Sequence, residues 1–246
     1  FDSTNADYIS TGYTLAVTKL ANGGSSSSIG TSSANIGMNG GTLKYIGSTG
    51  AQSTNLGLNI GSSHAFLSAD GATSSDTISI TGSPTYTAAN SARTITLTGA
   101  NTGDNTMGFV FNDNGTGKNV LTKTGTGRWV VNQANGFTGN TNAQNGTLVA
   151  ANTAAFGAAG AIVNVGFNTT VGAVEFATDT TANAYVLNVS SGYTGTVIVN
   201  RASSGSTITH TMGTSTIGNG TLNIQKGANV TGDAILEFGG LTMSAG

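Results

Sequence analysis

The segment that decides the fold is 121–148, which reads LTKTGTGRWVVNQANGFTGNTNAQNGTL in one-letter code. Short apolar runs alternate in it with turns rich in glycine and asparagine, such as Asn135-Gly136 and Asn145-Gly146. Glycine and asparagine accept the positive φ angles that tight turns require. The spacing of these turns predicts a series of short β-strands.

The same pattern extends along the chain. In Thr94–Thr98, Ile95 and Leu97 fall on one face and the threonines on the other, because successive side chains of a strand point to opposite sides. This alternation predicts strands through Leu43 and Tyr45, Ile78 and Ile80, Val163, Val165 and Phe167, Val174 and Phe176, Tyr185, Leu187 and Val189, Leu222 and Ile224, and Leu236 and Phe238. The chain is therefore expected to be all-β.

The composition is unusual for a globular enzyme. Only 7% of the residues are charged and the net charge is −2, whereas an ordinary domain has about 25% charged residues. The 37% hydrophobic content is enough to form a core, so the low-hydrophobicity, high-charge signature of disorder is missing. There is no cysteine, which excludes disulfides and thiolate metal sites.

Two architectures produce short strands at this spacing: a right-handed parallel β-helix, and a β-sandwich like those of pilin or flagellin-like surface proteins. The nearly uniform composition favours the β-helix, in which every coil stacks on a similar coil. Charges are expected to be rare, because like charges in stacked coils would lie about 4.8 Å apart and repel one another. Coils of roughly 20 to 25 residues predict ten or eleven coils and a rod about 50 Å long.

Segment 121–148 also resembles the passenger-associated repeat of bacterial autotransporters. The matching residues are Leu121, Lys123, Gly125 and Gly127, then Phe137-Thr138-Gly139, and finally Gly146-Thr147-Leu148. Arg128-Trp129-Val130-Val131 and Asn140-Thr141 depart from the repeat. The resemblance implies an extracellular β-helix passenger at a bacterial cell surface.

Two parts of the chain are predicted to differ in regularity. Residues 1–117 are expected to form less regular coils or a cap, and residues 118–246 regular coils, within one continuous solenoid. No leader precedes Phe1, so any export signal is expected to lie outside the sequence or to have been removed. The stretch 241–246 has no evident polar cap, so this end is expected either to continue or to contact a partner.

Acidic residues provide no clear catalytic pair. Glycosidases need two carboxylates about 5 to 10 Å apart, and no adjacent Asp-Asp pair occurs. Asp70, Asp76, Asp104 and Asp113 are interpreted as turn aspartates that bind the backbone, and Asp233 and Glu237 as solvated side chains. We therefore predict no catalytic residue.

Metal and cofactor sites are not predicted either. His210 falls on the apolar face of its strand and is interpreted as a buried, hydrogen-bonded histidine, while His64 has no second ligand at metal spacing. The segment Asn112–Lys118 ends like a phosphate loop but lacks the Ser or Thr that should follow the lysine. Its single carboxylate is too little charge for calcium.

The partner classes follow from charge and aromatic content. Eight basic residues without a cluster exclude nucleic acid, and the longest weakly polar run, 154–167, is too short to insert in a membrane. Trp129 is expected in the core, and Tyr13, Tyr86 and Tyr193 are candidates for stacking on glycans. The expected partners are a host-surface or glycan ligand and further copies stacked end to end in a filament.

Two functions remain open. The first is a non-catalytic extracellular structural or adhesive solenoid, acting as a surface stalk or a self-associating filament subunit. The second is a β-helical protein that binds or degrades polysaccharides, as tailspikes and pectinases do.

Overall fold

The computed structural model describes residues 8–166, 171–182 and 184–244. These residues form strands and short turns, with no helix among them. The strands are β1 (Tyr8–Ser10), β2 (Thr14–Val17), β3 (Ile36–Asn39), β4 (Thr42–Tyr45), β5 (Gln52–Thr54), β6 (Leu58–Ile60), β7 (Ala65–Ala69), β8 (Ile78–Ile80), β9 (Thr85–Tyr86), β10 (Thr94–Thr98), β11 (Asn105–Met107), β12 (Val120–Lys123), β13 (Arg128–Val131), β14 (Thr141–Ala143), β15 (Asn145–Ala150), β16 (Ile162–Val165), β17 (Val171–Ala177), β18 (Val186–Val189), β19 (Thr194–Asn200), β20 (Ile208–Ile217), β21 (Thr221–Lys226) and β22 (Ala234–Met243).

The strands form three sheets. The first has the order β1-β3-β6-β9, the second β2-β4-β7-β10-β12-β14-β16-β18-β20-β22, and the third β21-β19-β17-β15-β13-β11-β8-β5. Every pairing between two strands of the described residues is parallel. The chain is thus a β-solenoid of about nine turns.

This topology confirms the predicted parallel β-helix. The alternative β-sandwich is wrong, because its two sheets would be built from antiparallel pairs. The right-handed winding stays a prediction.

The expected coil length and number need correction. Thr122 and Asn142, which stack in adjacent coils, are 20 residues apart, whereas Asp70 and Ala100 are 30 residues apart. Irregular segments between strands, such as 87–93, lengthen the coils without adding any alternation that the sequence would show. Some coils are therefore longer than the predicted 20 to 25 residues, and the coils are fewer than predicted. Ten stacked strands span about 43 Å.

Most of the predicted alternating segments lie in strands whose apolar side chains line the solenoid interior, but Tyr185 lies just before β18 and Ile224 is 48% exposed. Phe167 falls outside the described residues. Aromatic rings stack along the interior: Phe176 lies 5.8 Å from Phe156 and 6.1 Å from Tyr185 between ring centroids, and Phe111 lies 5.4 Å from Phe137. These ring contacts join residues of different coils and give neighbouring coils a shared core.

The first sheet is confined to the N-terminal part, because β9 is its last strand in sequence. The second sheet continues from β10 to β12 across residue 117 without a break. The division into residues 1–117 and 118–246 stays a prediction.

The loop between β2 and β3 covers the N-terminal end of the third sheet, whose first strand is β5. Leu20 and Ile29 of this loop are buried. Asn22 Oδ1 accepts a hydrogen bond from Asn55 N, and Gly23 N donates one to Asn55 Oδ1, each at 2.9 Å. The loop therefore lies beside the end of β5, and a capping role for this part of the chain stays a prediction.

Charged residues do not stack on one another in adjacent coils, as expected from the repulsion of like charges. In the strand pairings of the described residues, Lys44 lies between Ala16 and Ser68, and Glu175 lies between Val149 and Ile198. None of these pairings places one charged residue directly on another.

A helix long and apolar enough to span a membrane is absent from the described residues.

Candidate functional site

The lysine of the repeat lies inside the solenoid. Lys123 is fully buried, and its Nζ donates hydrogen bonds to the backbone oxygens of Thr124 at 2.5 Å, Gly125 at 2.7 Å and Asn145 at 3.1 Å. Burial lowers the pKa of Lys123 to about 8. The side chain therefore holds a turn together by satisfying its carbonyl groups.

The two glycines of the repeat allow close contact between coils. Gly125 has a φ of +68°, in the left-handed region. A Cβ added to Gly127 would lie 2.4 Å from the backbone oxygen of Asn101 in the adjacent coil. The L-x-K-x-G-x-G pattern thus encodes coil stacking rather than a ligand site.

The departure from the repeat at residues 128–131 also has a structural reason. Trp129 is buried, and its Nε1 donates a hydrogen bond to the backbone oxygen of Thr98 at 2.9 Å. Arg128, its neighbour, faces outward, as the alternation requires. It meets two carboxylates there.

Asp104 and Glu175 converge on Arg128. Asp104 Oδ1 accepts from Arg128 Nε at 2.6 Å, and Glu175 Oε2 accepts from Nη1 at 2.5 Å. Glu175 Oε1 accepts from Asn200 Nδ2 at 2.6 Å, and Asn200 Oδ1 accepts from the backbone N of Asn229. We call these five residues the polar network. It ties together coils from the turn before β11 to the turn after β21.

Sequence reasoning missed this convergence because its members lie in different coils. Only the register of the third sheet brings β13 and β17 within reach of each other, two strands apart. Burial opposes the charge of Arg128, but hydrogen bonds and charges from Glu175 and Asp104 raise its pKa. Both carboxylates are thus paired with a permanent cation.

The other aspartates act as turn anchors. Asp76 accepts hydrogen bonds from Gly50 N at 2.7 Å and Thr73 N at 2.8 Å. Its pKa is lowered, first by the Thr73 hydroxyl and then by Gly50 N. Asp70 accepts from Ser68 Oγ and from Ala100 N. These contacts confirm the interpretation of Asp70 and Asp76 as turn residues.

The carboxylate of Asp113 accepts hydrogen bonds from two other residues. Its Oδ1 accepts from Asn119 N at 2.8 Å, and its Oδ2 accepts from Thr138 Oγ1 at 2.6 Å. Burial would raise the pKa of Asp113, but the hydrogen bonds from Thr138 and Asn119 outweigh burial and lower it. The carboxylate of Asp104 binds Arg128 instead of a backbone N–H, so the interpretation of Asp104 as a turn aspartate that binds the backbone is wrong.

Of the last two acids, Glu237 accepts a hydrogen bond of 3.3 Å from Thr211 Oγ1. The backbone N–H of Asp233 donates a hydrogen bond to Thr207 Oγ1 at 3.2 Å. Both lie in the last coil and form no hydrogen bond with the polar network.

Both ring nitrogens of His210 have partners inside the core. Nδ1 accepts from Ala182 N at 3.3 Å and Nε2 donates to the backbone oxygen of Asn200 at 3.0 Å, which assigns the neutral Nε2–H tautomer. Burial lowers the pKa of His210, although its backbone hydrogen bonds act in the opposite direction. His210 is thus a buried structural histidine, as predicted. His64 is exposed and accepts from Thr94 N.

The segment Asn112–Lys118 forms a tight turn. Asn114 and Gly117 exchange two backbone hydrogen bonds, and Asn112 Oδ1 accepts from Gly136 N. The oxygens that a cation would need are thus engaged by protein donors. Nowhere in the described ranges do three His, Cys, Asp or Glu side chains gather as a metal site would require.

The outer face of the second sheet carries a ladder of identical side chains, the asparagine ladder, formed by Asn142, Asn164 and Asn188 in register. Asn164 Nδ2 donates to Asn142 Oδ1 at 2.7 Å, and Asn188 Nδ2 donates to Asn164 Oδ1 at 2.8 Å. Thr122 continues the row below it. Thr122 and Asn164 are only 8% and 5% exposed, so Asn142 and Asn188 are the members of this row that present neutral amide groups on the rod, and they form the candidate binding surface.

The aromatic residues considered for glycan stacking lie in different environments. Tyr13 is 72% exposed in the turn before β2. Tyr86 is half-buried, and burial raises its pKa to about 12 although its hydroxyl accepts a hydrogen bond from Asn119. Tyr193 is half-buried. Tyr13 therefore offers the most accessible ring of the three.

The chain is similar to the Adhesin BmaC autotransporter of Brucella suis biovar 1 (strain 1330), with 42% identity over 139 residues. The match covers 54% of this chain and 4% of that adhesin, so the chain spans a small fraction of its length. No family model matches the chain, and no solved structure matches it. The resemblance to autotransporter passengers is thus confirmed both by the sequence of a named autotransporter adhesin and by the parallel β-solenoid fold.

Proposed function

We propose that the chain is part of an extracellular, surface-exposed adhesive passenger of the autotransporter type. The observation that carries the proposal is the 42% identity to a protein named as an adhesin, together with the solenoid fold. The adhesive role is further supported by a rod surface of neutral polar groups. Such a surface can bind through many weak hydrogen bonds along its length.

Within that role, the chain acts as a non-catalytic stalk segment that also contributes binding surface. The polar network and the turn aspartates support this, because the described contacts use these charged groups to hold coils together. Its ligand is a host-surface or glycan structure rich in hydroxyl groups, since the asparagine ladder offers both donors and acceptors.

The experiment is a binding assay on immobilised host cells and on a glycan array with the purified 246-residue chain. Saturable binding that the soluble chain competes away is expected. An Asn188→Arg, Thr216→Arg variant places two positive charges on the second sheet. A Thr196→Arg, Asn223→Arg variant places two on the third sheet and is the control. Loss of binding in the first variant alone assigns adhesion to the second sheet. Absence of saturable binding to every surface would contradict the proposal.

Polysaccharide degradation is the second candidate, and the convergence of Asp104 and Glu175 on Arg128 is the observation that favours it. Glycosidases use two nearby carboxylates. Release of reducing ends from a polysaccharide, lost in Glu175→Gln at unchanged fold, would establish this function. We expect no release, because both carboxylates are bound to the guanidinium.

A further inference from the structure

Arg93 is a buried cation without a carboxylate partner. Its side chain is 3% exposed and lies in the turn between β9 and β10. The ion pairs of the described residues use Lys44, Arg128 and Arg201, and none of them uses Arg93. A buried charge is costly unless a counter-charge or hydrogen bonds compensate it. Arg128 and Arg201 each have a carboxylate within 3.1 Å, so Arg93 differs from both in its electrostatic surroundings.

Hydrogen bonds satisfy two of the three guanidinium nitrogens. Nε of Arg93 donates to the backbone oxygen of Gly61 at 2.7 Å, and Nη1 donates to Ser91 Oγ at 2.6 Å and to the backbone oxygen of Ala92 at 2.9 Å. Nη2 has no acceptor among the described residues, and it is not one of their buried atoms without a partner, so it reaches solvent. Two N–H groups of a permanent cation are therefore available at the surface.

Two further side chains lie at the same corner, between the first and second sheets. His64 Nδ1 accepts a hydrogen bond from Thr94 N at 3.0 Å, so the exposed neutral ring carries its hydrogen on Nε2. Asn119 joins Tyr86 to Arg93, because its Nδ2 donates to the Tyr86 hydroxyl at 2.9 Å and its Oδ1 accepts from Arg93 N at 2.7 Å. Tyr86 is half-buried, which leaves part of its ring accessible. We call Arg93, His64 and Tyr86 the corner site.

We propose that the corner site binds the carboxylate or sulfate group of an acidic glycan. Nη2 of Arg93 donates to an oxygen of the anion, which supplies a counter-charge for the buried guanidinium. The Nε2–H of His64 is a second donor, and the ring of Tyr86 offers an apolar face to the sugar. The choice of a glycan rests on the proposed adhesive function, whereas the binding of an oxyanion does not.

The acid of the next coil does not occupy this position. The carboxylate of Asp113, in the turn before β12, accepts hydrogen bonds from Asn119 N and from Thr138 Oγ1. Asp113 is also outside ion-pair distance of Arg93. The corner site lies in the turns before β7 and β10, whereas the asparagine ladder belongs to β14, β16 and β18. The two surfaces can therefore be altered independently.

Arginine side-chain NMR tests the corner site on the unaltered 246-residue chain. The sequence has three arginines, so the Nε–H spectrum has three signals, and the ion-paired Arg128 and Arg201 are internal controls. The probes are oligomers of a uronic acid, of dextran sulfate and of neutral dextran, which separate carboxylate, sulfate and hydroxyl binding. We expect the Arg93 signal alone to shift, and to saturate, with an acidic probe. The acidic probe with the lower dissociation constant identifies the anionic group.

A variant measures the contribution of the cation. Arg93→Gln should raise the dissociation constant of the acidic probe about tenfold or more, which corresponds to about 1.4 kcal/mol. Lys19→Gln removes one positive charge from an exposed lysine and is the matched control, which should bind within about twofold of the wild type. Circular dichroism and the thermal midpoint show whether each variant folds. Equal affinity in a folded Arg93→Gln variant and in the wild type would overturn the proposal.

Three results of the NMR titration would also overturn it: an Arg93 signal that neither acidic probe shifts, an equal shift with neutral dextran, or equal shifts of all three arginine signals. The corner site and the adhesive function can fail separately. Cell binding by a chain whose Arg93 signal does not shift contradicts the corner site alone. A shifted Arg93 signal in a chain that binds no host surface supports the corner site and contradicts the adhesive function.

Discussion

The guanidinium of Arg128 on β13 reaches across β15 to the carboxylate of Glu175 on β17, with 2.5 Å between Nη1 and Oε2. The pair thus joins two strands that are not neighbours in the sheet. Val149, on the strand between them, is buried beneath it. Such a contact makes three consecutive coils depend on one another, whereas ladder hydrogen bonds join only adjacent coils.

Replacement of Glu175 should therefore weaken the solenoid. Glu175→Gln leaves the partly buried Arg128 without its main charge partner, and we expect a loss of about 2 kcal/mol in the free energy of unfolding. Asp104→Asn is the matched control, since Asp104 is exposed and its ion pair should contribute less than about 1 kcal/mol. Urea denaturation followed by circular dichroism measures both. Equal losses in the two variants would contradict this account.

Lys123 should matter more than any lysine at the surface. Lys123→Met leaves the carbonyls of Thr124, Gly125 and Asn145 without their donor, and we expect a loss of about 2–4 kcal/mol. Lys44→Met, at a half-exposed position, is the control and should cost less than about 0.5 kcal/mol. Thermal and urea denaturation provide the comparison. A Lys123→Met protein as stable as Lys44→Met would show that the repeat lysine does not hold the turn.

Gly127 should tolerate no side chain. Gly127→Ala places a methyl group 2.4 Å from the backbone oxygen of Asn101, which forces adjacent coils apart and should cost about 2 kcal/mol or more. Gly239→Ala is the control, because the nearest atom to its added Cβ lies 3.4 Å away. The midpoints of thermal unfolding should fall in the first variant and remain close to wild type in the second. The steric argument fails if the order is reversed.

Mild acid should destabilise the protein through His210. Burial lowers the pKa of His210 in the folded chain, so the unfolded chain takes up the proton first as the pH falls below about 6.5. The free energy of unfolding then decreases toward the folded pKa, by at most about 1.4 kcal/mol per pH unit from this group. Urea denaturation between pH 7 and pH 5 should show this slope in the wild type and in His64→Gln. It should be absent in His210→Gln, and its persistence there would assign it to other groups.

Local sequence patterns predicted much of this architecture. The alternation of Ile95 and Leu97 with threonines identified β10, and His210 was assigned to the core from the same periodicity. The repeat containing Lys123, Gly125 and Gly127 indicated a passenger-type coil. Its physical meaning, a buried ammonium group and a close contact between coils, appeared only in the structure. The length of the longest coils was not predicted, because irregular turns add residues without a periodic pattern.

By itself, the sequence determined that the chain forms short strands of an all-β fold with few charges and favoured stacked coils, because strand alternation and composition are local properties that repeat in every coil. The tertiary structure alone decided which distant residues meet. Asp104, Arg128 and Glu175 converge only through the strand register. Contacts between coils depend on the length of each coil, and that length varies from 19 to 30 residues without a pattern in the sequence.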